Sequence, residues 1–219
     1  MKKTISKNTP VIQYLCSIDS RLAQAIQMIG PITYSTHDNN PYAFIVHEII
    51  EQMLSIKAGK KIYDRLENIC DGTITPTNIN QLTDEQLRGT GTSIAKVGYI
   101  RNLTTAILSK SIILDELTSL PDDKVISKLT SIKGIGTWTA KMYLIFVLDR
   151  QDVLPYEDGA FVQAFRWLYG YKTVSKFTII KRTKKWSPFA SIAARYCYRA
   201  LDMGFTNMPL PKISVQEEN

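Results

Sequence analysis

The sequence has 219 residues, 44% of them hydrophobic, and a formal net charge of +7 at pH 7. This length and composition allow one large or two small domains with a core, and we expect the chain to fold alone. Its three cysteines, Cys16, Cys70 and Cys197, lie too far apart for a CxxC zinc pair or a four-cysteine iron–sulfur motif.

The start of the chain is similar to the basic region of a signal peptide, but Lys7, Asn8 and Pro10 interrupt it. No long apolar run follows anywhere in the sequence. We therefore expect a soluble intracellular protein without a membrane-spanning segment.

Helical periodicity is frequent and strand signals are weak, so the sequence predicts an all-α fold. A first long helix opens after Pro41, a second covers residues 60–70, and a break follows at residues 71–76. Thr83 and Gln86 form a capping-box pattern that predicts a short helix.

Further start signals follow at Ser93, which can cap a helix, and at Pro121, which fits a first helical turn. A turn at Gly134 and Gly136 links two more helical segments. The helices predicted in this part of the chain cover about residues 94–108, 121–130, 137–148, 159–168 and 188–203.

The charge is unevenly distributed, because residues 159–201 contain nine Lys and Arg residues and no Asp or Glu. A segment with charges of one sign attracts a polyanion. The alternative is a basic surface that is only solvated.

The most informative feature is a glycine hairpin followed by an acid. Gly134 and Gly136 bracket one isoleucine, so the chain can turn sharply and present backbone amides at the start of the next helix. Such a hairpin can bind a phosphate; the alternative is a helical turn that only packs. Glu157 and Asp158 follow some twenty residues after Trp138, and an acid beside a DNA-binding hairpin suggests chemistry on DNA.

Four sequence blocks, in this order, resemble the helix-hairpin-helix DNA glycosylases, and within them the 3-methyladenine DNA glycosylase II branch. The third block reads Ile-Lys-Gly-Ile-Gly-Thr-Trp-Thr-Ala. The resemblance covers about residues 41–203 and rests on residues 49–58, 87–100, 132–140 and 154–158.

The resemblance implies two helical domains with the active site in the cleft between them. A six-helix barrel domain would cover about residues 41–148, with the helix-hairpin-helix motif at about 122–148. A second, discontinuous domain of residues 1–40 and 149–219 would carry the acid. The extra N-terminal sheet domain of some relatives would be missing.

The function implied is that of a monofunctional DNA glycosylase of base excision repair. It would flip an alkylated purine such as 3-methyladenine out of double-stranded DNA and hydrolyse its N-glycosidic bond. Two alternatives stay open: a glycosylase for another modified purine, and a DNA-binding protein that has lost catalysis. We expect a monomer with no membrane partner, cytoplasmic and nucleoid-associated in a bacterium or nuclear in a eukaryote.

Asp158 stands at the position of the family's catalytic acid. Departure of a purine builds positive charge on the sugar, and an ionised carboxylate can stabilise that charge and orient or activate a water. The helix predicted to start at Gly159 also makes Asp158 an N-cap residue, and the two roles are compatible. Glu157 is the adjacent acid, but it does not fall at the family's position.

Gln52 and Met53 stand where the family places the wedge that fills the gap left by the flipped base. The alternative for Met53 is a core position, because its spacing from Ile49 and Ile50 fits a buried stripe. The residues expected to contact the DNA backbone are Ser55, Lys133, Gly134, Ile135, Gly136, Thr137 and, from the basic segment, Lys184 and Lys185.

The hairpin amides are expected to bind a phosphate 3′ to the lesion. The resemblance allows one cofactor, a monovalent cation (Na⁺ or K⁺) held by hairpin carbonyls when DNA is bound. No metal site built from side chains is expected, and His37 and His47 are interpreted as structural or surface residues.

The base pocket is expected to use electron-rich aromatic faces, which attract a cationic alkylpurine. The candidates are Trp138, Tyr143, Trp186 and Tyr198, and the alternative for each is a core position. Only Trp138 stands at the family's pocket position.

Trp138 also takes the place of the lysine nucleophile of strand-cutting relatives, so no lyase activity is expected. Lys133 and Lys141 are the nearest alternatives, and neither is expected to reach the sugar. Ala190 stands where many relatives have an arginine, whose role is therefore not carried over.

Overall fold

The computed structural model describes residues 2–211 of the chain. Within them it has twelve α-helices, three short 3-10 helices and one two-stranded sheet. The elements are β1 (Lys2–Ile5), α1 (Pro10–Ile18), α2 (Ser20–Ile29), β2 (Ile32–Ser35), α3 (Pro41–Glu51), α4 (Ile56–Ile69), α5 (Pro76–Gln81), α6 (Asp84–Gly89), α7 (Ile94–Leu108), α8 (Asp122–Thr130), α9 (Thr137–Phe146), α10 (Gly159–Tyr169), α11 (Lys176–Thr183) and α12 (Ala190–Asp202). The 3-10 helices are Asp115–Ser119, Lys184–Trp186 and Phe205–Asn207.

The chain divides into two compact units. The central unit is Thr36–Asp149 and contains α3 to α9. The discontinuous unit consists of the chain on either side of it and contains both strands and the other five helices. No helix in the described part of the chain is both long and apolar enough to span a membrane.

Side-chain caps begin most helices of the central unit. Asn40 accepts the Ala43 amide at 3.0 Å to begin α3, and the capping box of Thr83 and Gln86 is present at α6, as predicted. Helix α3 packs against α4, α7 and α9. Its three fully buried isoleucines are Ile45, Ile49 and Ile50. Side-chain caps thus specify α3 to α7, whereas α8 and α9 begin without one.

The discontinuous unit has a core in which α2, α10 and α12 meet. Its two strands pair antiparallel, with Ile5 opposite Ile32 and both side chains buried. The all-α prediction is confirmed, because the described residues are mostly helical. The two strands were not predicted, since each has only four residues and buries one of them, too little for an alternating pattern.

A buried carboxylate, Asp19, ties the discontinuous unit together. It caps α2 through the Leu22 amide at 3.1 Å and accepts hydrogen bonds from the Tyr169 hydroxyl and from Trp186 Nε1, the latter at 3.0 Å. Lys185 Nζ lies 3.1 Å from the same carboxylate. Burial opposes ionisation of Asp19, but these hydrogen bonds outweigh it and hold the pKa of this carboxyl below its ordinary value.

Several helices had no clear signal in the sequence. The helices that were not predicted are α1, α2, α5 and α11. The last predicted helix begins at Ala190 rather than Pro188, because its first amide is satisfied by Asp152 at 3.2 Å.

Candidate active site and DNA interface

The hairpin of the central unit joins α8 to α9 and contains two glycines in different environments. Gly134 has φ +105°, and a Cβ there would lie 2.2 Å from Tyr99 Cγ, so no other residue fits. Gly136 begins α9 in an extended conformation without a side-chain cap, and nothing lies within 4 Å of a Cβ placed there. Gly136 therefore supplies no side-chain acceptor to the first amides of α9, unlike the N-cap residues of most neighbouring helices.

The hairpin presents some of its predicted DNA-binding residues and buries another. Lys133, Gly136 and Thr137 are exposed, whereas the Ile135 side chain is buried. The Ile135 amide already donates to the Ile132 carbonyl at 3.0 Å. This corrects the assignment of Ile135, which holds the turn together instead of offering its amide to a phosphate.

The turn after α3 is held by a lysine from α7. Lys96 Nζ donates to the carbonyls of Ile50 at 2.8 Å and Gln52 at 2.6 Å, so it satisfies carbonyls that the end of α3 leaves without helical partners. Burial lowers the pKa of Lys96. A cation in the first turn of a helix interacts unfavourably with the dipole of that helix. The position of Lys96 in the first turn of α7 was therefore the one signal in the sequence that its side chain has a partner in another element.

Gln52 joins this turn to the hairpin. Its Nε2 donates to the Gly134 carbonyl at 3.2 Å and approaches Thr139 Oγ1 at 3.4 Å. Asn102 of α7 makes a second tie, donating to the Lys133 carbonyl at 3.0 Å. The Gln52 side chain is thus directed at the hairpin in this structure, and its assignment to the wedge stays a prediction.

Met53 stands apart from this network. It has φ +59°, a conformation that costs a residue other than glycine about 1–2 kcal/mol, and its side chain is fully exposed. The alternative of a core position for Met53 is therefore wrong. Ser55, exposed two residues later, caps α4 through the Ala58 amide at 3.3 Å.

Asp158 lies in the discontinuous unit at the start of α10. Its Oδ1 accepts the Phe161 amide at 2.7 Å, so the expected N-cap is present, and the side chain is half-buried. The turn before it closes through a hydrogen bond from the Asp158 amide to the Pro155 carbonyl at 3.0 Å. Glu157 is exposed.

The segment that leads to Asp158 is fastened to α12. Ser191 Oγ accepts the Val153 amide at 2.9 Å, and Asp152 accepts hydrogen bonds from Ser187 and from the Ala190 amide. The acid therefore follows a loop whose backbone position is fixed by the helix beside it.

Two of the four predicted pocket aromatics are core residues. Trp186 has 0% exposure, donates its Nε1–H to Asp19 and packs edge-on against Phe161. Tyr143 has 1% exposure, and burial raises its pKa. Neither presents a ring face to a base in this structure, which corrects their assignment.

Trp138, in the first turn of α9, and Tyr198, on α12, are half-buried and keep accessible surface. They stay predictions for the base pocket.

The predicted basic residues of the discontinuous unit differ in availability. Lys184 and Lys185 are both exposed, but Lys185 is also paired with Asp19 and so contributes to the fold. The lysines considered for a lyase reaction also differ, because Lys141 is buried and Lys133 is exposed at the hairpin.

His47, Glu48 and Glu51 form the closest metal-like group in the described residues, with ligand atoms within 4.8 Å of one another. His47 contacts Glu48 at 3.2 Å and Glu51 at 3.4 Å. Burial opposes protonation of His47, but the two carboxylates outweigh it and raise its pKa. This pairing accounts for the cluster without an ion.

A family model describing the HhH-GPD superfamily of base excision DNA repair proteins matches residues 46–188, which is about two-thirds of the chain. The chain belongs to this superfamily. Within the HhH-GPD superfamily it is 35% identical to a DNA-3-methyladenine glycosidase from Bacillus halodurans, whose crystal structure it matches with a TM-score of 0.81 over 94% of this chain and 95% of that chain.

Two further HhH-GPD comparisons are with fission yeast. The structure of a Schizosaccharomyces pombe 3-methyladenine DNA glycosylase in complex with abasic DNA is 28% identical, with a TM-score of 0.83 over 89% of this chain and 97% of that chain. The S. pombe protein named DNA-3-methyladenine glycosylase 1 is 28% identical over 203 residues, 90% of this chain and 89% of that protein.

Proposed function

We propose that this protein is a monofunctional DNA glycosylase of base excision repair that releases alkylated purines such as 3-methyladenine from double-stranded DNA. The observation that carries the proposal is Asp158, an acid fixed as an N-cap yet only half-buried. It lies in a chain 35% identical to a DNA-3-methyladenine glycosidase over almost the whole length of both proteins.

Binding to the DNA backbone is assigned to the start of α9. Its uncapped amides and the positive end of its helix dipole attract a phosphate, and the exposed side chains of Lys133 and Thr137 lie beside them in the chain. Because Gly136 has no side chain, the N-cap residue itself does not compete with a phosphate for this terminus.

Base flipping is assigned to Met53. A flipped purine leaves a gap in the stack, and an exposed unbranched side chain held in a strained turn is suited to enter it. Lys96 fixes the backbone of this turn, and Gln52 ties it to the hairpin. We infer that phosphate binding and wedge insertion are coupled through these two side chains.

Hydrolysis is assigned to Asp158. The cap bond to the Phe161 amide fixes the rotamer of the carboxylate, so that it can face the positive charge that develops on the sugar and orient the attacking water. Trp138 is proposed to hold the damaged base by contact with its ring.

A monovalent cation at the hairpin is proposed for the DNA complex only. Backbone carbonyls are suitable ligands for Na⁺ or K⁺, and those of Ile132, Lys133 and Gly134 each already accept one hydrogen bond. A cation would use their second lone pairs. The catalytic proposal includes no step that depends on this ion.

The product is proposed to be an unbroken strand with an abasic site. Trp138 cannot form an imine with the sugar, and Lys141 is buried. We expect no covalent protein–DNA adduct after borohydride treatment. A trapped adduct that disappears in Lys133→Ala or Lys141→Ala would contradict the water mechanism and indicate a lyase.

The direct test is to incubate the protein with methylated duplex DNA and to identify the free bases by chromatography. We expect release of 3-methyladenine, with little release in Asp158→Asn. Binding to the same DNA without release of any base would instead support the non-catalytic alternative.

A further inference from the structure

Helix α11 of the discontinuous unit has a surface on which an aromatic ring lies among cations. Phe177 is 72% exposed, and Lys181 follows one helical turn later on the same face. The surface borders an open cavity of about 540 Å³, which we call the α11 groove. It is lined by Tyr171, Phe177, Thr178, Lys181, Arg182 and Lys185.

Two of the three cations of the α11 groove are held by other side chains. Arg182 stacks over the ring of Tyr169 at 4.2 Å, and Lys185 is paired with the buried carboxylate of Asp19. Lys181 is exposed. The groove belongs to the segment of residues 159–201 that has no Asp or Glu, so positive charge exceeds the single negative charge of Asp19.

This combination is the one that binds unpaired nucleic acid. Single-strand binding sites join a positively charged groove, which follows the phosphates, to exposed aromatic rings on which bases stack. A base inside a duplex has both faces covered by its neighbours and cannot lie on Phe177. An acidic protein partner would use the cations but would give no reason for an exposed phenyl ring among them.

We propose that the α11 groove is a second nucleic-acid site that binds a single strand, with a base stacked on Phe177 and neighbouring phosphates on Lys181 and Arg182. The site goes beyond the proposed base excision, because none of these three residues is assigned to the hairpin, the wedge or the acid. It gives the protein a contact with unpaired strands.

The test measures fluorescence anisotropy of a labelled 12-nucleotide oligothymidine, which cannot pair with itself, at one fixed low salt concentration. Phe177→Ala removes the ring from an exposed position and is expected to keep the fold. Phe177→Tyr keeps the ring. Lys181→Gln is compared with Lys61→Gln, which removes the same charge from an exposed position in α4 of the central unit.

We expect Phe177→Ala to weaken oligothymidine binding by about fivefold or more. Fivefold corresponds to the smallest loss expected when one base no longer stacks on an aromatic ring. Phe177→Tyr should stay within twofold of the wild type, and Lys181→Gln should weaken binding more than Lys61→Gln. Binding of lesion-free duplex and release of 3-methyladenine should be unchanged in Phe177→Ala.

Unchanged oligothymidine binding in Phe177→Ala would overturn the proposal. An equal loss of duplex binding would also overturn it, because the groove would then be part of the duplex surface. If polyglutamate displaced oligothymidine equally well from the wild type and Phe177→Ala, the groove would be a site for acidic proteins. Since anisotropy requires no base release, failure of the proposed glycosylase activity would leave this result interpretable.

Discussion

The helices α9 and α10 begin in opposite ways. Helix α9 starts at Gly136 with no side-chain cap, whereas α10 starts at Asp158, whose carboxylate bonds the Phe161 amide at 2.7 Å. A helix N-terminus without a side-chain cap attracts an external anion, whereas the carboxylate of a capping acid already supplies the negative charge. The start of α9 is therefore suited to bind a phosphate, and the start of α10 is suited to hold a catalytic carboxylate.

The largest expected effect comes from changing the acid without changing the cap. Asp158→Asn keeps a side chain that caps a helix as well as Asp does, so the fold and DNA affinity should be retained. Base release should fall by at least ~10²-fold, because a preorganised charge facing the transition state commonly contributes that much. Chromatography of released bases and DNA-binding titrations measure the two effects.

Glu157→Gln is the matched control for this prediction, since it removes the same charge from the neighbouring residue. We expect it to leave base release close to that of the wild type. A large loss in Glu157→Gln together with an active Asp158→Asn would move the catalytic role one residue back.

A capping acid at the start of α9 would make this helix resemble α10. Gly136→Asp would add a capping carboxylate at an extended position where a Cβ meets no atom within 4 Å. Stability should be unchanged or higher by a few tenths of a kcal/mol. DNA affinity should fall about tenfold or more, because the new charge competes with the phosphate for the amides.

Two variants separate the causes in this experiment. Gly136→Ser caps α9 without adding charge and should weaken DNA binding less than Gly136→Asp. Gly89→Asp adds the same charge at an exposed position of the central unit where a Cβ also meets no atom within 4 Å. If Gly89→Asp weakened binding as much as Gly136→Asp, net charge rather than the α9 terminus would be responsible.

A smaller effect is expected from the contacts that position the wedge. Lys96→Met leaves the carbonyls of Ile50 and Gln52 without their donor, so the turn that carries Met53 should lose its fixed geometry. We expect the maximal rate of base release to fall about 5- to 10-fold, together with a smaller fluorescence change of 2-aminopurine placed beside the lesion.

Lys96→Arg keeps a charged donor and should restore much of the rate and of the fluorescence change. If Lys96→Met lowered only the melting temperature, with base release and 2-aminopurine fluorescence unchanged, Lys96 would have a structural role alone.

The smallest prediction concerns pH. The pKa of His47 is raised in the folded protein, so its stabilising contribution is fully present below the unfolded pKa of about 6.5 and is lost as pH rises through the folded value. His47→Gln should therefore lower the melting temperature more at pH 6 than at pH 8. An equal loss at both pH values would show that packing, not protonation, is the contribution of His47.

The sequence predicted helices whose start carries a clear proline or capping-box signal, such as α3 and α6. It missed α2, although Asp19 caps this helix and its apolar residues are buried. It did not predict the strands, because a four-residue strand with one buried side chain has no periodicity to detect. Helix α11 was missed as well, since its exposed face carries Phe177 and Ile180 instead of polar residues only.

The candidate site was predictable where its signal is local. The two glycines of the hairpin and the acid before α10 can be read directly from neighbouring residues. Gln52 bonds a carbonyl 82 residues away and Lys96 one 44 residues away, and no local pattern shows such partners. Trp186 and Tyr143 were assigned wrongly because an aromatic side chain gives no indication from sequence of whether its ring is accessible.

We propose that the start of α9 binds DNA and that Asp158 at the start of α10 performs the chemistry. The most direct test is the single-turnover rate of base release from a duplex with one 3-methyladenine, measured at saturating protein. We expect Gly136→Asp to recover a rate close to that of the wild type at saturation, whereas Asp158→Asn should stay at least ~10²-fold slower. A full rate for Asp158→Asn, or a Gly136→Asp rate that no protein concentration restores, would contradict this division of roles.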